Sequence, residues 1–404
     1  MPDDPSEAAA AYALYWAYAT GRGVRRDTER AMSVLRASAE AGHPPAQVAL
    51  GDEIFGASKD EALRWFLAAA AQGDAKGELA AGRMIFHGRF TARDEDRGLA
   101  LLAQAAAHGN PDAAREHALA SRQVEARGRS DDDNLARAVD EHGLVDHAAT
   151  IRALARPSVR LVAAPRDDAT IPVGASKLGG APDLPPGHAW PRRGARSLAF
   201  VAQLALDDLR RFAGTELLPP DGVLSFFYDA QDQPWGGADE ADGWAVQHHP
   251  AATLVRQAGA AAGFAACAID SFAELTLPPL RSALARSLGD EVSDRYGAAV
   301  ETFQSVYRRP PRADGEIHRV LGHPDAIQGD MTRRIEYGWR GADLEKPEPT
   351  LELAARQWRL LLQVDSDHHA GMMWGDLGRL YFWIREDDLR ARRWDAARLQ
   401  LQCS

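Results

Sequence analysis

Cysteine is nearly absent: Cys267 and Cys403 are the two in 404 residues. Two thiols cannot build a disulfide framework, and without a CxxC there is neither a zinc ribbon nor a redox pair. Lysine is almost as scarce. Lys59, Lys76, Lys177 and Lys346 are four among 47 basic residues, and arginine supplies the rest. Acidic residues number 58, giving a formal net charge of −11. That balance argues against a general nucleic-acid binder, whose footprint is basic. The longest early apolar run, Ala8 to Ala19, is twelve residues, short of the roughly 20 a membrane span needs. Asp3, Asp4 and Glu7 precede it, where a signal peptide carries basic residues. These absences predict a soluble, reduced, cytoplasmic protein with neither nucleic acid nor membrane as partner. A phosphate loop, HExxH and GxSxG are also missing, and Arg26 breaks the GxGxxG pattern opened by Gly21 and Gly23. No cofactor is expected and no enzyme is established.

What is present is a repeat. ASAEAGHPPA (37–46), AAAAQGDAKG (68–77) and QAAAHGNPDA (104–113) share small apolar residues followed by a glycine: Gly42, Gly73 and Gly109. Eight and seven residues earlier stand Val34/Leu35, Trp65/Phe66 and Leu101/Leu102, and three earlier Ala39, Ala70 and Ala106. This spacing puts the apolar pair and the alanine on one helical face, and the glycine ends the helix. Each unit therefore reads as helix A, loop, helix B and turn, with Asp27 and Asp94 placed to cap helix B. The shorter loop at 55–60 accounts for the closer spacing of the first two glycines.

The pattern resembles Sel1-like repeats, relatives of the tetratricopeptide solenoid, over about residues 8–120. The residues carrying it are Tyr18, Gly21, Gly23, Val24, Asp27, Ala31, Ala39, Gly42 and Ala46; Gly98 departs from the alanine at Ala31 and Ala62. The resemblance implies a protein-binding scaffold. A passive helical cap stands beside that reading, since about three repeats is the minimum for an isolated solenoid. Helix A of the first repeat crowds Tyr12, Tyr15, Trp16 and Tyr18 together, more rings than one stripe can bury, so some are expected to face a partner protein.

Residues 121–134, polar with three consecutive aspartates, read as a linker, with Asp133 or Asn134 able to cap a helix over about 135–155 that breaks near Gly143. The division is therefore 1–120 for the repeats, 121–134 for the linker and 135–404 for a second domain. There, strand-like runs dominate: SVRLVAA after Pro157, 197–206, 222–230, 244–249, 318–322, 358–367, 378–384 and 399–404, with a helical stretch near 281–308. Without regular strand–helix alternation they predict an α+β domain with mainly antiparallel sheet. An internal echo runs through it. LGGAPDLP, AFVAQLALDDL and GVLSFFYDA are answered in order by LGHPDAIQG, LLLQVDSDH and GRLYFWIRED, which predicts two related half-domains.

SKLGGAPDLP (176–185), Trp190-Pro191, LAFVAQLAL (198–206), LPPDGVLSFFY (218–228), LGHPDAIQGDM (321–331), LLLQVDSD (360–367), MMWGDLGRLYFWI (372–384) and LQCS (401–404) together resemble the YwqG-like family, DUF1963. The resemblance implies a fold and an extent of about 160–404, and carries no activity with it.

Gln203 and Gln363 each interrupt an apolar strand at corresponding places in the echo. A buried amide must be hydrogen-bonded, so they either tie strands and loops together or form the polar floor of a cleft. Lys177, Trp190, Trp374 and Asp376 are the other candidates for that cleft. Ser176 beside Lys177 is a poor nucleophile pair, because neighbours in extended chain point apart. Asp365, Asp367, His368 and His369, close to Asp376, are weak metal candidates: the residue types suit a divalent cation, but a solvated loop with Asx-turns is the favoured reading, since one sequence patch holds them all without a helical i, i+4 pair. The sequence thus predicts a non-enzymatic protein-interaction factor, an immunity or regulatory protein in its specific form. A small-molecule- or metal-dependent enzyme working in a cleft between the two halves is the alternative.

Overall fold

In the computed structural model, residues 5–88, 91–257, 263–280, 282–307 and 316–403 are described. The chain divides into two compact units, with the principal boundary after Ser130.

The first unit is seven antiparallel helices: α1 (Pro5–Thr20), α2 (Thr28–Glu40), α3 (Pro44–Ile54), α4 (Lys59–Ala70), α5 (Ala75–His87), α6 (Glu95–Ala107) and α7 (Pro111–Ala126). Asp27, Ser58 and Asp94 cap α2, α4 and α6, each accepting from the backbone N–H three residues on. Gly42, Gly73 and Gly109 follow those helices at φ 86°, 77° and 84°, the left-handed turn that glycine adopts without strain. The buried apolar residue seven before each glycine is Leu35, Phe66 or Leu102. The small residue buried in every repeat lies four before the glycine, at Ser38, Ala69 and Ala105, one position earlier than the sequence reading placed it. An i, i+3 pair sits on one face, and Ser38 satisfies its hydroxyl by donating to Ala8 O at 2.6 Å.

Gly98 departs from the alanine pattern for a steric reason. A Cβ there would lie 2.5 Å from Phe86 N, so α5 and α6 touch backbone to backbone. Gly98→Ala is expected to cost about 1–3 kcal/mol by overpacking. Thermal unfolding of the helical unit with an unchanged midpoint would contradict that close approach.

The segment expected to be a linker is helical at both ends. α7 continues to Ala126, and α8 (Asp131–Glu141) takes the three aspartates as its first turn. Carboxylates there face the positive end of the helix dipole. Gly143, at φ 64°, separates α8 from a 3-10 turn and α9 (Ala148–Leu154).

The second unit is built on ten strands: β1 (Arg156–Pro165), β2 (Lys177–Leu178), β3 (Ala199–Ala205), β4 (Val223–Tyr228), β5 (Trp244–His249), β6 (Cys267–Thr276), β7 (His318–Val320), β8 (Trp358–Asp365), β9 (Arg379–Arg385) and β10 (Arg398–Gln402). They form one antiparallel sheet in the order β10-β9-β8-β7-β1-β6-β2-β3-β4-β5. The sheet curls until its margins meet, in a nearly closed barrel. Leu401 N donates to Trp235 O at 3.3 Å, and Trp244 Nε1 donates to Ala397 O at 3.0 Å. Gly236 sits in that seam at φ 102°, with Leu399 O where a Cβ would be. Leu161, Leu204, Phe226, Val364, Phe382 and Leu399 meet in one interior core, with Phe226 edge-on to Phe382 at 5.1 Å. A helix, α10 (Met331–Arg340), covers part of the opposite face and buries Met331 and Ile335 against Trp358, Leu360, Tyr381 and Trp383.

The sequence echo has a counterpart in register. Lys177, Gln203, Ser225 and Gln247 lie opposite one another across β2, β3, β4 and β5. Arg319, Gln363, Tyr381 and Gln400 do so across β7, β8, β9 and β10. These two arms flank β1 and β6 within one sheet and share one core, so the echo does not by itself place a cleft between separately closed halves. Among the described residues, no helix is long and apolar enough to cross a membrane.

Candidate functional site

Both glutamines of the echo are completely buried. Gln203 Oε1 accepts from Asp183 N at 2.9 Å, and its Nε2 donates to Ala175 O at 2.8 Å and to Asp183 Oδ2 at 2.7 Å. Gln363 repeats the arrangement, its Oε1 accepting from Asp325 N at 2.9 Å and its Nε2 donating to Ile317 O at 2.7 Å. In each arm the amide bolts the Pro-Asp loop that follows one strand to the middle of the next. Gln203→Leu and Gln363→Leu should each lower stability by about 1–3 kcal/mol, by stranding a buried backbone N–H and C=O. A denaturation midpoint unmoved in both variants would remove that role.

Lys177 is fully buried too. Its ammonium donates to Asp168 Oδ1 at 2.7 Å and to Ala181 O. Arg256 bridges Asp168 and Asp183, with Nε 2.6 Å from Asp183 Oδ1. Burial pushes the Lys177 pKa down, and the Asp168 hydrogen bond opposes that. For Asp168, burial pushes up, but the Lys177 hydrogen bond, the Ala181 N–H and the neighbouring cations hold the carboxyl below its ordinary value. This is a closed ion network, with no face for a ligand on Lys177. Trp374 is also inside, its Nε1 donating to Asp365 O at 3.1 Å and its ring against Tyr228 and Phe264. Trp190 is half-buried, donating to Leu198 O at 2.8 Å, and Asp376 is exposed. The six cleft candidates therefore line no common opening.

The acid–histidine cluster is also committed elsewhere. Asp365 Oδ2 accepts from Ile317 N at 2.8 Å and lies 2.9 Å from Arg379 Nε. Asp367 accepts from His318 Nε2 at 3.0 Å and from Ala370 N at 2.9 Å. His318 Nδ1 accepts from Asp365 N at 3.1 Å, so its Nε2 carries the proton. His368 reaches away to Glu316 at 2.8 Å. Among the described residues no group of three or more His, Cys, Asp or Glu is placed to hold a metal ion. Both thiols are free, and burial pushes the Cys267 thiol up to about 11, away from nucleophilic use.

The aromatic helix divides its rings. Tyr15 is buried and donates to Glu53 Oε1 at 2.7 Å. Tyr12 and Tyr18 are half-buried, and Trp16 stays 50% exposed on a cluster in which Tyr12, Tyr15 and His43 touch. Beside Glu53 begins an open groove of about 820 Å³ along α3, α5 and α7, lined by Asp52, Arg83, His87 and Glu116 over Phe55 and Phe66. Arg83 and Glu116 pair across it at 2.7 Å. Sequence reasoning picked the rings but missed the groove. Its charged wall, Asp52, Arg83 and Glu116, comes from three helices at repeat-length spacing, and only the repeat period could have aligned them.

The folds thus define a helical-repeat solenoid followed by an antiparallel sheet domain. The Sel1 repeat family matches residues 6–43, 44–74 and 75–110. Residues 176–403, more than half of the chain, match the family described as a domain of unknown function, DUF1963, and the chain belongs to that family. Over 98 residues it is 32% identical to an uncharacterized protein of Neisseria meningitidis serogroup B, a stretch covering 24% of this chain and 21% of that protein. The chain thus spans about a fifth of that relative's length. Two solved structures match more loosely. A Sel1 repeat protein from Oxalobacter formigenes is 27% identical at a TM-score of 0.27, covering 28% of this chain and 90% of that one. The protective antigen c5321 of uropathogenic Escherichia coli, with an SLR fold, is 24% identical at 0.26, covering 35% and 30%.

Proposed function

We propose that the chain is a non-enzymatic scaffold whose residues 1–120 bind a partner protein, with the domain at 135–404 supplying a second surface. Sel1 repeats generally serve protein interaction, which supports the reading. The observation that carries it is the groove along α3, α5 and α7, together with the half-exposed Trp16 in the ring cluster whose Tyr15 bonds Glu53, the neighbour of Asp52 in the groove wall. A ring held on a rigid helix is an economical anchor, since aromatic side chains are enriched at interfaces. The groove mixes both charge signs, and the whole chain carries −11. That excess supports a basic protein partner over a nucleic acid, and an immunity or regulatory factor is the specific form that fits it.

Trp16→Ser is expected to weaken capture of the native partner about tenfold or more, at unchanged helicity and unfolding temperature. Affinity purification from the source cells, with wild type and variant side by side, reads this out. Equal recovery of the same partner by both, or by a chain lacking residues 1–120, would overturn it.

A further inference from the structure

A cavity of about 50 Å³ lies in the sheet domain, with Pro324, next to the Asp325 that Gln363 holds, in its wall. It opens where the LGHPDAIQGDM loop leads into α10, beside the start of β1 and the outer face of β8 and β9. A water needs roughly 10–15 Å³ on this measure, so there is room for a few waters or one small organic molecule.

Its polar groups are nearly all donors or already spent. Trp383 lines the cavity and is 3% exposed, yet its indole Nε1 has no acceptor. Native proteins rarely leave a buried N–H unpaired, and each exception asks for an explanation. Arg156, partly buried in the wall, makes no side-chain hydrogen bond or ion pair among the described residues. Glu386, whose charge acts on Arg156, is taken by Arg359 at 2.6 Å and Arg390 at 2.6 Å. Burial holds the Arg156 pKa down to about 10, so the guanidinium is still charged at neutral pH. Arg356 stands exposed at the rim.

The one carboxylate in the wall is satisfied: Asp330 accepts from Ala283 N at 2.9 Å and from Thr332 N at 3.0 Å, capping α10. His323 is kept neutral, its pKa pushed down to about 3 by burial and by the Arg156 charge. Two arginines against one aspartate leave a single positive charge. The first turn of α10 adds the partial positive charge of a helix N-terminus. Pro279, Leu284, Pro324 and Trp358 give the wall an apolar side, and the Ser282 and Thr332 hydroxyls are engaged by Ala285 N and Asp330 Oδ1.

We propose that this cavity binds a small monocarboxylate, its head on Arg156 and the Trp383 indole N–H and its short apolar part against Pro279 and Leu284. One net positive charge matches a monoanion, and the planar guanidinium suits a carboxylate. A phosphate dianion would bring a second negative charge beside Asp330.

The test uses the full chain and four probes: acetate, propionate, inorganic phosphate and propylamine, at equal ionic strength. Acetate or propionate should raise the melting temperature saturably, because a ligand of the folded state stabilises it. Arg156→Met should weaken that affinity by about 10–100-fold. The second readout needs no folded arginine variant: in a 15N spectrum, one indole resonance, assigned by its loss in Trp383→Phe, should move on carboxylate addition and stay put with propylamine. The proposal fails if neither carboxylate shifts the melting temperature or that resonance. It also fails if phosphate binds more tightly than both, or if the Arg156→Met affinity equals wild type.

Discussion

Asp183→Ala should destabilise the sheet domain by about 3–5 kcal/mol, more than any other single change in its polar network. Asp183 is completely buried and carries three donors at once: Gly174 N at 2.8 Å, Gln203 Nε2 at 2.7 Å and Arg256 Nε at 2.6 Å. Removing it takes one of the two carboxylates that Arg256 meets, leaving Asp168, and loosens the Gln203 bolt. The equivalent change in the other arm, Asp325→Ala, should cost only about 1 kcal/mol. Asp325 is partly exposed and 3.8 Å from Arg379, which keeps Asp365 at 2.9 Å. Urea denaturation of both variants compares them directly. Equal losses would mean that the Lys177–Asp168–Arg256–Asp183 network contributes nothing beyond the amide bolts.

Mild acid should weaken the same domain well before its carboxylates protonate. His323 is pushed down to about 3 by burial and then by the Arg156 charge. His249 is pushed down to about 4 by burial and then by the His188 and His248 charges. Both folded-state values lie below the ordinary histidine value of 6.5, so the unfolded chain takes up protons first. Stability is then full above about pH 7 and falls as pH drops from 6.5 towards 4, by about 1.4 kcal/mol per unit for each histidine. At pH 5 the two together should cost about 3–4 kcal/mol. His323→Gln keeps a donor for Leu154 O, which His323 Nε2 contacts at 2.8 Å, and removes one titration. Its unfolding midpoint should depend less on pH between 7 and 5. A wild-type midpoint that is flat over this range would exclude either histidine as the cause.

The repeats were legible because their signal is local: caps, turn glycines and helical stripes recur within each unit. Most of the sheet was legible too, since β4, β5, β8 and β9 are apolar runs with aromatic or branched residues. β6 was not. It pairs with β1 along its whole length, yet Asp270, Ser271 and Glu274 give it no alternating apolar face. Its place is held by backbone pairing and by Arg319, whose guanidinium meets Glu274 at 3.1 Å. Of the candidate site, the glutamines were found because an amide inside an apolar run must be explained. The ion network that Gln203 joins was invisible, because Asp168 and Arg256 are far apart in sequence and no spacing rule links them. The cavity behind Arg156 escaped for the same reason: its wall comes from separate stretches between Arg156 and Trp383.

The seam at Gly236 has a consequence for the order of synthesis. The Trp244–Ala397 hydrogen bond spans 153 residues, and β10 is the last of the ten strands to emerge from a ribosome. Helical repeats close neighbour by neighbour and can fold as they appear. The sheet must wait: β2 to β5 can pair in order, but β1 lacks β6 and β7 and the shared core lacks β8 to β10, and contacts this remote form slowly. During that interval the apolar faces of β3 and β4 are open, and the finished solenoid is tethered to an unfinished barrel. Chaperone dependence should therefore concentrate in the later part of translation, and a stall before residue 398 should leave folded repeats attached to an aggregation-prone tail.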